Sequence, residues 1–141
     1  MSRERTRELA LAFARDPRQQ LDRLADDAVF ALLERDDETG LANGREVQGR
    51  AAIAGALAHF YGGGDVTRTT ADEAAITDGR AMVEVAFYGR DLGRFFGLAA
   101  APAPVLVPCE MIFTVEDDRI TSGYLSFDLD ALRRAVGARR A

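Results

Sequence analysis

The chain has 141 residues, 48% of them hydrophobic and 29% charged, with a formal net charge of −5. That is one domain, 1–141, long enough to bury a real core, and its composition excludes wholesale disorder. The acidic balance argues against nucleic acid as a main partner, because phosphate binding needs a basic surface. One cysteine, Cys109, allows no intrachain disulfide and fits a reducing cytoplasm. Residues 1–8 (MSRERTRE) lack a leader pattern, and no apolar run approaches the roughly 20 residues of a membrane span, so the expectation is a cytoplasmic protein without a membrane partner.

In chain order, Leu9, Ala12 and Phe13 fall at helical spacing and predict a helix over 3–15. Pro17 opens a second helix, about 17–25, and Asp26-Asp27 breaks it. Ala28 to Leu33 reads as a buried strand, ERDDETG (34–40) as a charged turn, and 41–48 as a returning strand. A third helix, 50–61, puts Ile53, Ala56, Leu57 and Phe60 on one face and stops at Gly62-Gly63-Gly64. Val66 to Thr77 is strand-like, Asp78-Gly79 signals a hairpin, and Met82 to Tyr88 continues as a strand. Then come a loop (89–104), a strand (105–116), a turn at Asp117-Asp118, a strand (119–127) and a short helix (128–136). The cluster Arg133, Arg134, Arg139 and Arg140 suits the negative end of that helix.

Consecutive hairpins give a mostly antiparallel sheet with helices segregated to one side, which is α+β. Long twisted strands curl, and the three preceding helices close the concave side into a cone with a cavity at its wide end.

The segments FYGRDLGRFFGL (87–98), EDDRI (116–120) and FDLDALRRAVG (127–137) carry a family likeness in their joint order and spacing. The chain resembles the SnoaL-like polyketide cyclases of the NTF2-like (cystatin-like α+β barrel) superfamily over nearly its whole length. The resemblance implies a cone roofed by three N-terminal helices, a homodimer through the convex sheet face, and a hydrophobic small-molecule substrate or ligand handled without a cofactor. It also implies a cyclase or isomerase of antibiotic-type biosynthesis acting on a bulky, apolar, polyketide-like substrate. The alternatives are a non-catalytic binding or accessory protein, and a hydroxylase or epoxide-opening relative.

Carried over residue by residue, the cyclases' general base on the last strand falls on Leu125, their supporting histidine on Met111 and their glutamine on Cys109. The base of the related ketosteroid isomerases falls near Leu32, and the Arg and Asp of the limonene-epoxide hydrolases near Val85 and Phe87. Leucine and methionine accept no proton, so the usual acid–base pair is replaced. The expected pocket is apolar: Phe13, Leu32, Phe60, Val85, Phe87, Cys109, Met111, Leu125 and Phe127.

Three residues remain as catalytic candidates. Tyr61 either donates to a substrate carbonyl or caps a core edge. His59, the single histidine, is either a solvated helix-end cation or an acid/base at the pocket mouth. Glu110 alternates onto the outer face with Leu106, Pro108, Ile112 and Thr114, and becomes a general base only if the strand register slips by one. Cys109 reads as a small buried hydrophobe, Asp128 as an N-cap, Tyr88 and Tyr124 as outward packing residues, and Arg90–Asp91 as a loop-fixing pair. No His/Cys/Asp cluster has metal-ligand spacing, so no metal is expected.

Overall fold

The first helix forms where the apolar stripe predicts it. In the computed structural model, which describes residues 2–36, 41–62, 64–92, 103–128, 130–131 and 133–134, with backbone alone for 33–36 and 41–44, α1 spans Arg3–Arg15. Ser2 caps it, its hydroxyl accepting from the Arg5 N–H at 3.1 Å, which satisfies a donor that every helix start leaves open. Leu9, Ala10, Phe13 and Ala14 are buried against the sheet, as the helical period requires.

The second helix expected over 17–25 does not form, so among the described residues two α-helices, not three, cover the sheet. Pro17–Gln19 and Leu21–Arg23 are separate single turns of 3-10 helix, and strand β1 (Leu24–Asp36) begins at once. A helix this short is marginal by itself, whereas fully buried Leu24 gains a sheet partner in Ile120. Asp26 and Asp27 lie inside β1, where its register with the last strand shifts between Leu24 and Val29.

The other elements are β2 (Leu41–Gln48), α2 (Arg50–Gly62), β3 (Asp65–Thr77), β4 (Arg80–Arg90), β5 (Val105–Glu116) and β6 (Arg119–Asp128). One six-stranded sheet has the order β2-β1-β6-β5-β4-β3; its neighbours are antiparallel except β1 and β6, which run parallel. Helix α1 lies across β3 and β4, and α2 lies against β1 and β2. The start of α2 is pinned to β1: the Gly49 N–H donates to Ala28 O at 2.8 Å, and the Arg50 guanidinium donates to Leu24 O and pairs with Asp26 at 3.1 Å.

Turn chemistry follows the sequence. Asp117 and Asp118 both take left-handed φ, 49° and 61°, the conformation that matches a two-residue hairpin to the sheet's twist. Gly79 has φ 89°, and its N–H donates to the buried Thr6 hydroxyl at 2.9 Å, which locks the β3–β4 hairpin onto α1. Asp128 accepts from the Ala131 N–H at 3.0 Å, the cap expected there, and Asp130, Ala131, Arg133 and Arg134 are helical. The rest of the terminal segment with Arg139 and Arg140, the loop stretch 93–102 and the charged turn residues 37–40 lie outside the described residues.

Strand parity sets the core. On β5, Val105, Val107, Cys109, Met111, Phe113 and Val115 are buried, while Leu106, Pro108, Glu110 and Glu116 are exposed. The concave face meets the helices, and at one end Phe13 of α1 sits edge-on to Phe30 and to Phe113, each at 5.6 Å between centroids. Gly123 makes this possible. A Cβ there would come within 2.9 Å of the Phe30 ring, so only glycine lets that ring lie flat over β6.

Candidate functional site

The site is built from cross-strand rows on the concave face. Leu32 of β1, Leu125 of β6 and Met111 of β5 are successive partners across the sheet, so their side chains form one apolar row. Phe127 on β6 and Phe87 on β4 flank β5, and their rings meet across it at 6.3 Å, nearly parallel. Helix α2 supplies the facing wall through Ile53, Ala56, Leu57, Phe60 and Tyr61, and Pro17, Phe30 and Val47 complete it. Phe60 binds the two walls together, with ring centroids 5.1 Å from Phe87 and 5.8 Å from Phe127.

These side chains enclose a hollow whose free volume is about 30 Å³. That is room for one or two water molecules, well below the roughly 300–1,000 Å³ of an ordinary small-molecule site. The bulky polyketide expected from sequence exceeds this space, because aromatic rings from both walls already occupy it. Leu32, Val47 and Tyr61 are only half-buried and mark the rim.

Tyr61 is the one titratable lining residue among those described. Its ring stands edge-on to Phe60 at 5.3 Å and to Phe87 at 6.4 Å. The Arg18 guanidinium covers it at 4.0 Å from the ring centroid, a cation–π distance. Burial pushes the phenol up to about 12, with Arg18 pulling the other way and Asp16 adding to the rise. At neutral pH it is a fixed O–H donor and never a base.

The other two catalytic candidates lie elsewhere. His59 is exposed, on the side of α2 away from the lining residues, because helical spacing that turns Leu57, Phe60 and Tyr61 inward turns residue 59 out. Glu110 is exposed on the convex face, opposite Glu84 on β4 and Ser126 on β6. The register is the unslipped one, so its carboxyl points away from the hollow.

Of the expected pocket residues, Leu32, Phe60, Phe87, Met111, Leu125 and Phe127 line the hollow. Phe13, Val85 and Cys109 share the buried face but not the lining. Phe13 is sealed among Phe30 and Phe113 at the closed end. Val85 and Cys109 are cross-strand partners on the buried face, outside the lining of the hollow. Burial pushes the Cys109 thiol up, so it carries no thiolate at neutral pH. Sequence reasoning missed Pro17, Phe30 and Val47 as lining. The α2 wall was legible as an apolar helix face, but parity within a strand buried on both sides does not tell which side holds Phe30.

Among the described residues no group of three His, Cys, Asp or Glu could hold a metal ion, and no helix is long and apolar enough to cross a membrane.

None of the curated proteins compared matches the chain. Solved structures do. A protein described as a SnoaL-like polyketide cyclase from Jannaschia sp. CCS1 is 18% identical, covering 96% of this chain and 93% of that one with a TM-score of 0.73. One described as a polyketide cyclase from Xanthomonas campestris pv. campestris is 23% identical, covering 95% and 98% with a TM-score of 0.68. A protein of ketosteroid isomerase-like fold from Catenulispora acidiphila, solved in complex with trimethylamine, is 21% identical, covering 94% of each chain at 0.68. At these identities the likeness establishes the fold: a curved, mostly antiparallel six-stranded sheet of the cyclase and isomerase type. The family model for the SnoaL-like domain matches residues 6–123, and the chain belongs to that family.

Proposed function

We propose that the protein binds a slender, apolar small molecule in the hollow between α2 and the concave sheet, and that it holds this ligand without carboxylate or histidine acid–base chemistry. The observation that carries this reading is the lining itself. Leu125 and Met111, at the positions the family resemblance gives to the base and its histidine, stand in one carbon row with Leu32. An apolar wall excludes water and contributes about 25 cal/mol per Å² of apolar surface covered. Occupancy beyond a few atoms requires the half-buried rim residues Leu32 and Val47 to turn aside.

The test is binding beside turnover. Calorimetry with short-chain alcohols should show saturable binding that Leu125→Asp weakens, because a carboxylate placed among carbon atoms must be desolvated. If Leu125→Asp gains cyclisation of a linear precursor that the native chain leaves intact, an acid–base function has been replaced at this position. Absence of binding by every probe would sink the reading.

A second reading is favoured by Tyr61. A phenol kept protonated in an apolar wall polarises a carbonyl, and orientation alone can lower a barrier by roughly 7–11 kcal/mol in well-aligned cases. In this reading the protein is a cofactor-independent cyclase or isomerase acting on a polyketide-like precursor in small-molecule biosynthesis, admitted only once Leu32 and Val47 turn aside from the rim, and Tyr61→Phe lowers turnover far more than binding. The convex face is further proposed as a homodimer contact, supported by exposed Leu106 and Tyr124. Light scattering at twice 15.3 kDa is the expected result, and a 15.3 kDa species contradicts it.

A further inference from the structure

The lining of the hollow is apolar apart from the Tyr61 hydroxyl, and a cation, exposed Arg18, stands just outside it on the Tyr61 ring. Arg18 follows Pro17, which is buried in the lining, so the 3-10 turn over 17–19 fixes the backbone that delivers its side chain to the rim. Its guanidinium rests on the Tyr61 ring at 4.0 Å. Several other arginines are held in ion pairs, Arg3 and Arg7 with Glu73, Arg5 with Asp118, and Arg50 with Asp26; Arg68 also lies over a ring, that of Tyr88, but away from the hollow. Arg18 makes no ion pair among the described residues, and the nearby Asp16, whose charge is felt at Tyr61, does not bridge to it. Stacking on a ring face leaves the guanidinium's edge, with its planar fork of N–H donors, open for a carboxylate. The Tyr61 hydroxyl beside it is a second donor.

We propose that the ligand of this hollow is an apolar chain or ring ending in a carboxylate, with the carboxylate held at the rim by Arg18 and Tyr61 and the carbon end inserted toward Leu125 and Met111. This rests on the reading of the hollow as a ligand site. The polarity of the two ends dictates the orientation: an anion among the inner side chains would be stranded without donors, whereas at the rim it meets two. The net charge of −5 opposes an anionic ligand at long range, but at physiological salt that field is screened beyond about 8 Å and the local pair decides.

The test compares hexanoate with hexan-1-ol, equal in chain length and differing in the charged end, by calorimetric titration of the full chain at pH 7. Native protein should bind hexanoate about ten-fold tighter, the increment of a charge-assisted contact. Arg18→Gln, a surface change that leaves the core intact, should remove that preference while holding hexan-1-ol within about two-fold of native. Raising the salt should weaken hexanoate alone. If hexan-1-ol binds and Arg18→Gln leaves the hexanoate to hexan-1-ol ratio unchanged, the carboxylate assignment falls and the apolar site stands. If neither compound binds the native chain, the apolar site falls and takes this assignment with it.

Discussion

The two ends of the concave face are made of the same residue type and behave differently. At the closed end Phe13, Phe30 and Phe113 meet within 5.6–6.2 Å around Gly123, and Phe13 and Phe113 are wholly buried. At the open end Phe60, Tyr61, Phe87 and Phe127 make contacts of similar length, 5.1–6.4 Å, yet leave a hollow with a half-buried phenol at its rim. The difference lies in what faces the rings. A glycine under Phe30 lets one ring fill the closed end completely. Among the described residues no glycine lies under a ring at the open end, and the four rings lean on one another around the hollow. Aromatic packing thus closes one end of the cone and surrounds a hollow at the other.

The strongest way to break that contrast is to delete one ring from each end. Phe113→Ala should cost about 3–5 kcal/mol in chemical denaturation, the full transfer and cavity penalty of a sealed ring. Phe60→Ala should cost about 2 kcal/mol, because the new space joins one that already opens at the rim, and it should tighten binding of larger apolar probes. Equal losses at the two ends would show that the open end is ordinary core.

Leu125→Asp sharpens the contrast through pH, with a cost of about 2–4 kcal/mol at neutral pH. Burial raises the folded-state pKa of such a carboxyl above its unfolded value, so the native state holds the proton more tightly. Stability therefore falls as pH rises from about 4 through the folded pKa and then levels off. Denaturation midpoints across pH 4–8 measure it, and a pH-independent loss would mean that the side chain escapes to solvent. Gly123→Ala should cost about 1–3 kcal/mol by pushing the Phe30 ring off β6.

The smallest effect is spectroscopic. Of the tyrosines, Tyr61 should ionise late, at about 12, and appear as a delayed step in an ultraviolet titration that Tyr61→Phe removes. The folded state keeps this proton more tightly than the unfolded chain does, so between about 10 and 12 stability falls as pH rises. Arg18→Gln should delay the step further and Asp16→Asn should advance it, because the two charges act in opposite directions.

Much of this was legible in the sequence because period-2 alternation runs cleanly along β5. It put Met111 inward and Glu110 outward, and Leu125 follows as the partner of Met111, although β6 shifts its parity once, at the irregularity between Ile120 and Ser122. The helix expected over 17–25 failed for the opposite reason. Leu21 and Leu24 suit either a helical stripe or a turn leading into a strand, and only the pairing of Leu24 with Ile120, distant in sequence, decides. The size of the hollow was not legible, since composition specifies which rings are inside but not whether they touch. Nor was the place of Arg18: a loop arginine carries no pattern until Tyr61, a whole helix away, is found beneath it.

The central claim is that apolar ligands enter between Leu125, Met111 and the α2 wall. Methyl NMR of the native chain during titration with hexan-1-ol tests it most directly. Entry of the ligand should give saturable shifts at Ile53, Leu57, Met111 and Leu125, with Ile120 and Val83 unmoved. Shifts confined to Leu106 and Ile112 on the convex face, or none at all, would contradict it.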